Sequence, residues 1–309
     1  MRQAGRVTAV IFDIGGVLVN WAPERAFEQV LPADEVAAFM ERVGFHDWNR
    51  ANDALASIAG SEEALVARFP DDAGAIRGYR ANFLHTITEE VPGTGAVVAE
   101  LRAAGVSVLA LTNWAADMFA IARERFGILR RFPDIVVSGE EGIVKPDPAI
   151  YALACARAGV EPGQALFVDD VAANVAGAEA AGLRGWRFTD AAALRAELVR
   201  LGLLGPRQPL AEPAFHLAPR AEWERALRTG SYPWSGRGLT YLGEGFVHLS
   251  FAGQLERTRQ RFYADLAGAE LVLLRLDPDP DLPFVVEDGF PHLFAPLPLD
   301  RVVQLSAPA

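Results

Sequence analysis

The apolar and polar positions of the chain fall into two regimes, and the first is an alternation of short buried strands with helices. Residues 7–12 (VTAVIF) are an apolar, β-branched run closing on Asp13-Ile14-Gly15-Gly16, which reads as a strand buried on both faces that opens into a tight loop. Three more such runs follow: 106–111 before Thr112-Asn113, 135–137 before Ser138-Gly139, and 165–168 before Asp169-Asp170. Helical periodicity separates them over 95–104, 115–126 and 149–158, and a strand at 185–188 and a helix at 191–201 complete the series. That order predicts an α/β fold, a doubly wound parallel sheet with its ligand crevice beyond the carboxyl ends of the strands.

Between the first strand and Pro92-Gly93 the pattern is helical, as in 33–42 and 62–69, with no strand signal. An insertion of that size directly after the first strand-end loop predicts an α-helical cap over the crevice. The expected plan is therefore a core of residues 1–19 and 92–204 with a cap over about 20–91. Residues 203–213 hold three prolines and a glycine without periodicity, and a linker is placed at 205–212. Beyond it the second regime begins. Short strands at 214–217, 245–250, 271–276 and 302–305 around helices at 221–228 and 253–266 predict a small α+β domain over 213–309.

Composition narrows the function classes. The 309 residues carry a net charge of −11, split −7 for residues 1–208 and −4 for the rest, so neither half offers the basic surface that nucleic-acid binding requires. No apolar run reaches the length of a membrane span, and no signal peptide is read at the N-terminus, so a cytoplasmic protein is expected. The single cysteine, Cys155, excludes an internal disulfide and a cysteine-based zinc cluster. Of 29 basic residues only Lys145 is a lysine, which suggests that a compact ammonium is needed there.

The ordered segments FDIGGVL, LTNW, VKPDPAIY and FVDDVAANVAGA resemble the haloacid dehalogenase superfamily, in its branch with a helical cap after the first motif. The resemblance covers about residues 7–190 and implies a Rossmann-like core and a Mg²⁺-dependent phosphatase acting on a small phosphorylated metabolite. The residues support those roles on physical grounds. Asp13 stands at a strand tip with Gly15 and Gly16 behind it, and can approach a substrate as a carboxylate nucleophile. A phosphate dianion repels such a nucleophile, so the chemistry needs a cation. Asp13, the Gly15 carbonyl, Asp169 and Asp170 make an all-oxygen set suited to Mg²⁺, with Asp170 the expected direct ligand and Asp169 ligating or supporting. Lys145 offsets negative charge, Thr112 and the Asn113 amide hold phosphate oxygens, and Asn174 supports the acidic pair.

One departure matters. Most phosphatases of this superfamily carry an acid two residues after the nucleophile to protonate the leaving alkoxide, and here that position is Gly15. General acid catalysis is worth about 10²- to 10⁴-fold. The absence opens two rival readings, a 2-haloacid dehalogenase and a noncatalytic phosphate-binding protein. A dehalogenase has no use for Asp169 and Asp170, which favours phosphoryl transfer. In the cap, the polar segment His46-Asp47-Trp48-Asn49-Arg50 with Asp53 should face the crevice, as should Trp114 from the core. Asn49, Asp53 and Trp114 are candidate substrate contacts, and His46 or Asp53 is the expected source of the missing proton.

In the C-terminal region AFHLAPRAEWERAL, GEGFVHLS and GFPHLFAPLPLD resemble a small bacterial domain family of uncharacterised function over 213–306. That family is distantly similar to the ADP-ribosyltransferase fold, a resemblance that implies NAD bound by His216 and His248 with Ser250 and Glu287 nearby. The competing reading is a domain that only binds a partner. Whether the two histidines line one pocket or are buried apart discriminates the two.

Overall fold

The computed structural model describes residues 6–306. The first unit begins with β1 (Ala9–Phe12), β2 (Val19–Trp21), α1 (Glu24–Phe27), α2 (Ala33–Val43), α3 (Phe45–Asn52), α4 (Ala59–Arg68), α5 (Ala73–Ala81), α6 (Phe83–Thr86) and β3 (Ile87–Glu90). It continues through α7 (Thr94–Ala103), β4 (Ser107–Thr112), α8 (Ala116–Arg125), β5 (Ile135–Val137), α9 (Ser138–Glu141) and α10 (Pro148–Ala158). It ends with β6 (Ala165–Asp169), α11 (Ala172–Ala180), β7 (Arg184–Arg187) and α12 (Ala191–Arg200).

Five strands form one parallel sheet in the order β5-β4-β1-β6-β7. β1 is central, with Phe12 opposite Ala110 on one side and Val168 on the other. All four of its residues are buried, as a strand covered by helices on both faces must be, and this explains why it reads as a continuous apolar run. Chain direction across the sheet reverses at β1, so the crevice opens where β1, β4 and β6 end.

The cap is helical as expected. Val36, Phe39, Met40 and Val43 bury one face of α2, and Gly44 ends that helix at φ 66°. Phe27 meets Phe39 and Phe45 edge-on at centroid distances of 5.0 and 5.1 Å, making an aromatic centre for the cap. The expectation of no strand in this segment needs correction. The two connections to the core pair with each other as an antiparallel ribbon, Val19 opposite Glu90 and Trp21 opposite Ile87.

After an irregular stretch at 203–213 the second unit starts with β8 (Ala214–Pro219), α13 (Arg220–Thr229), β9 (Trp234–Gly236), β10 (Leu239–Thr240) and α14 (Tyr241–Glu244). It proceeds through β11 (Val247–His248), β12 (Ser250–Phe251), α15 (Leu255–Phe262), β13 (Leu271–Leu276), β14 (Phe284–Glu287), β15 (Phe290–Leu293) and β16 (Val302–Ser306). An antiparallel sheet β12-β8-β13-β16 stands beside a smaller one, β11-β15-β14, and the pair β10-β9. The expected strand at 245–250 is split between the two sheets as β11 and β12, and the expected helix at 253–266 is shorter. The hairpin β14-β15 turns at Asp288 and Gly289, both with positive φ, between paired Glu287 and Phe290.

The second unit packs on the first. Phe246, Val285 and Phe294 bury against Ala96 and Ala99 of α7. Arg131 reaches from the first unit over the Phe294 ring at 4.7 Å and pairs with Glu287. The connecting stretch is itself held, with Arg207 on Glu100 at 2.7 Å and Leu210 buried in the second core. Among the described residues no helix is long and apolar enough to cross a membrane.

Candidate active site

β1 delivers Asp13 to the crevice, where its backbone N–H bonds the Val168 carbonyl at 2.8 Å. The loop behind it turns at Gly16 with φ 71°, and a Cβ there would lie 2.6 Å from Asp170 Oδ2, so only glycine lets the loop close on that carboxylate. Lys145 Nζ sits 2.7 Å from Asp13 Oδ1, 2.7 Å from Asp169 Oδ2 and 3.3 Å from the Leu111 carbonyl. Its side chain is 1% exposed, so the lone lysine is a buried ammonium bridging two strand tips.

Asp169 is saturated by protein donors. The Val171 N–H and the Asn174 amide serve Oδ1 at 2.8 and 3.2 Å, and Asn174 and Lys145 serve Oδ2 at 3.0 and 2.7 Å. Tyr151 in turn donates its hydroxyl to the Asn174 carbonyl at 2.7 Å. The arrangement makes Asp169 a support for Lys145, while Asp170, to which no side chain among the described residues donates, lines the crevice.

Oxygens of Asp13, Asp169 and Asp170 lie within 4.8 Å of one another. Three carboxylates and one ammonium leave a formal charge of −2 in a largely buried place. Burial, with the Asp169 charge adding to it, pushes the Asp13 carboxyl up to about 7 against the pull of Lys145. Asp170 is raised by burial and by Asp169. Lys145 stays charged because Asp13 and Asp169 outweigh the burial that would lower it. An all-oxygen cluster with surplus negative charge fits a hard divalent cation such as Mg²⁺.

The structure reassigns one expected contact. The Asn113 side chain does not reach toward a phosphate: its Nδ2 donates to the Lys145 carbonyl at 3.0 Å and its Oδ1 accepts the Lys145 N–H at 2.8 Å, which fixes the loop carrying the lysine. Thr112, the buried last residue of β4, lines the cleft. Trp114 lines it too, while its ring packs edge-on between Phe83 of the cap and Phe119 of the core. The cleft has a volume of about 1110 Å³ and collects Asp13, Lys145 and Asp170 from the core with His46, Asn49 and Asp53 from the cap.

Three residues of the site were not singled out by sequence. Ser138, fully buried, accepts the Trp114 N–H at 2.8 Å and donates to the Asp53 carbonyl at 2.5 Å, joining core to cap. Gly177 lets α11 close on the Lys145 loop, since a Cβ there would meet Pro146 Cβ at 2.5 Å. Asn52, 2% exposed, lines the cleft with neither amide atom hydrogen-bonded. Ser138 closes an apolar strand, a signal that was available. The other two depend on contacts between distant segments.

A family model of haloacid dehalogenase-like hydrolases matches residues 7–182. The chain belongs to this family. A second family model, "Protein of unknown function (DUF952)", matches residues 217–305. Among relatives of the hydrolase, a sesquiterpene phosphatase of Aspergillus oryzae is 27% identical over 203 residues, 62% of this chain and 95% of the relative. A phosphoglycolate phosphatase of Pseudomonas aeruginosa is 29% identical over 181 residues, 57% of this chain and 66% of that one. An alanine variant of a family enzyme of Bacteroides thetaiotaomicron, solved with magnesium and inorganic phosphate, superposes with TM-score 0.48 at 18% identity over 60% of this chain and 95% of that chain.

The histidines of the C-terminal unit are engaged internally. His216 is 2% exposed, with Nδ1 on the His248 carbonyl at 2.8 Å and Nε2 on the Tyr232 hydroxyl at 2.7 Å. Burial lowers both His216 and His248 to about 4, and Ser235 holds His248 Nδ1 at 2.8 Å. Ser250 is buried on Thr258 at 2.9 Å. Burial would raise Glu287, but hydrogen bonds from His292 and Arg131 prevail and hold it at about 2. The two histidines are therefore neutral and tied to protein partners, and the expectation of NAD gains no support from these four residues.

Proposed function

We propose that this hydrolase cleaves phosphate monoesters of small metabolites through an aspartyl-phosphate on Asp13. The observation that carries this reading is the Asp13 carboxylate at a strand tip, 2.7 Å from a buried ammonium and beside two further carboxylates. Asp13 and Asp170, with the Gly15 carbonyl, would hold Mg²⁺, and Asp169 would support the set through Lys145. When bound, the ion offsets the charge of nucleophile and phosphate and polarises the phosphoryl oxygens.

The chain's own residues then do the following. Lys145 holds Asp13 in place and stabilises charge on the phosphoryl group as it moves between oxygens. Thr112 contributes its hydroxyl to a phosphoryl oxygen. Asn113 keeps the lysine loop in register, and Asn174 holds Asp169 in place by donating to both its oxygens. The cap closes the cleft over the alcohol portion of the ester. In this reading residues 1–204 carry the catalysis and 205–212 connect them to a second domain at 213–309.

Phosphate release from p-nitrophenyl phosphate, with Mg²⁺ and with EDTA, tests this on the wild type and on Asp13→Asn. Metal-dependent release that falls to background in the variant is the expected result. Release that persists in EDTA would overturn it. Halide release from 2-haloacids by a chain inactive on the ester would establish the dehalogenase alternative.

A further inference from the structure

We propose that Asp53, at the end of α3 in the cap, donates the proton that the leaving alcohol requires, the role an acid at residue 15 would otherwise fill. The inference rests on the phosphatase reading above. A Cβ built on Gly15 meets nothing within 4 Å, so the space where that acid would project is open toward the cleft. Asp53 lines the same cleft as Asp13, Thr112 and Lys145.

Its backbone is fixed to the core. The Asp53 carbonyl accepts the Ser138 hydroxyl at 2.5 Å, and Ser138 in turn holds the N–H of Trp114, two residues beyond Thr112. The next residues are stitched down as well: the Leu55 and Ala56 carbonyls accept the N–H groups of Ala116 and Asp117, each at 3.1 Å. Asp117 Oδ2 accepts the Ser57 hydroxyl at 2.7 Å and the Ile58 N–H at 3.2 Å. A cap residue held this way keeps a fixed position relative to the nucleophile, which proton transfer at hydrogen-bond range demands.

The carboxyl itself makes no hydrogen bond or ion pair among the described residues, so it is uncommitted. The charged and titratable groups that act on it are Lys145 from the core, Arg50 from its own helix and Tyr79 from α5. Burial outweighs the two cations and raises Asp53 to about 6, which keeps a usable fraction protonated near neutrality. His46, the other cap candidate, is exposed at the mouth with its ring against Phe45. The Tyr79 hydroxyl is donated to Asn49 and is pushed above its usual range by burial.

The proton balance closes over the two half-reactions. In the first, an Asp13 oxygen bonds to phosphorus, the bond from phosphorus to the alcohol oxygen breaks, and that oxygen takes the Asp53 proton. In the second, the Asp53 carboxylate takes a proton from water as the water oxygen bonds to phosphorus. The bond from phosphorus to Asp13 breaks, and both side chains return to their starting states.

The test compares the full-length wild type with Asp53→Asn on p-nitrophenyl phosphate and on phenyl phosphate, whose leaving group is more basic, with Mg²⁺ present. The expected loss in kcat/KM is about 10²-fold on the phenyl ester and at least about tenfold smaller on the nitrophenyl ester. Adding Gly15→Asp to Asp53→Asn should recover at least about tenfold on the phenyl ester, since residue 15 has the room. Equal losses on the two esters, or no loss on the phenyl ester, would overturn the inference alone. No phosphate release by the wild type from either ester would overturn the phosphatase reading and this inference with it.

Discussion

Lys145 shows how much one side chain carries. It lies between Asp13 and Asp169 with the Phe167 ring 5.5 Å from its nitrogen, so nothing but an ammonium of this length satisfies both carboxylates in that space. Replacing it with methionine leaves two buried carboxylates facing each other. We expect Lys145→Met to lose about 3–5 kcal/mol of stability, read from the urea midpoint, together with all turnover. Its place in the site was legible because the rest of the basic residues are arginine and because it stands in the segment VKPDPAIY. Asn113 was legible as a member of the site and misassigned in its contact, since sequence order does not show that its amide faces the Lys145 backbone. Asn52 and Gly177 were not legible, because their surroundings come from segments far away in the chain.

At the scale of elements, the parallel strands were readable because burial on both faces turns each into an unbroken apolar run. The ribbon of β2 and β3 was not, since its strands are short and pair only with each other across the whole cap. The hairpin of β14 and β15 carries an Asp-Gly turn, a strong local signal, but Pro283 and Pro291 on either side obscured the strands. The join between cap and core rests on Asp117 at the start of α8. Asp117→Ala strands the Ser57 hydroxyl and the Ile58 N–H, and we expect a cost of about 1–3 kcal/mol. Amide exchange should rise at Ile58 and at Ala116 and Asp117, while exchange within the central sheet stays as it was.

For the whole molecule, the contact between the two units contains a buried acid. Burial raises Glu90 to about 8 in spite of the Ile128 N–H and Arg131, and its Oε1 lies beside Gly245 of the second unit. The folded chain therefore holds a proton that the unfolded chain releases above its ordinary value of 4.5. Stability contributed by neutral Glu90 is present at low pH and is lost as pH rises through that window to about 8. The slope is at most roughly 1.4 kcal/mol per pH unit. Urea midpoints at pH 5, 6.5 and 8 should fall less steeply in Glu90→Gln than in the wild type, and parallel slopes would show that the acid is ionised in the folded chain. Sequence reading separated the two units by composition, yet it could not show that they share a buried seam.

The paired ribbon beneath the cap has a consequence for how such a chain is assembled. Trp21 and Ile87 are opposite each other, about 5 Å apart as antiparallel neighbours are. Everything between them is a side branch on a trunk whose path is already closed, so a different branch can be spliced at that node without rerouting the sheet. If Asp53 is the donor, a graft of this kind exchanges more than the shape of the lid. It removes the proton source, and the stump keeps its nucleophile but is left to esters whose alcohols depart unaided.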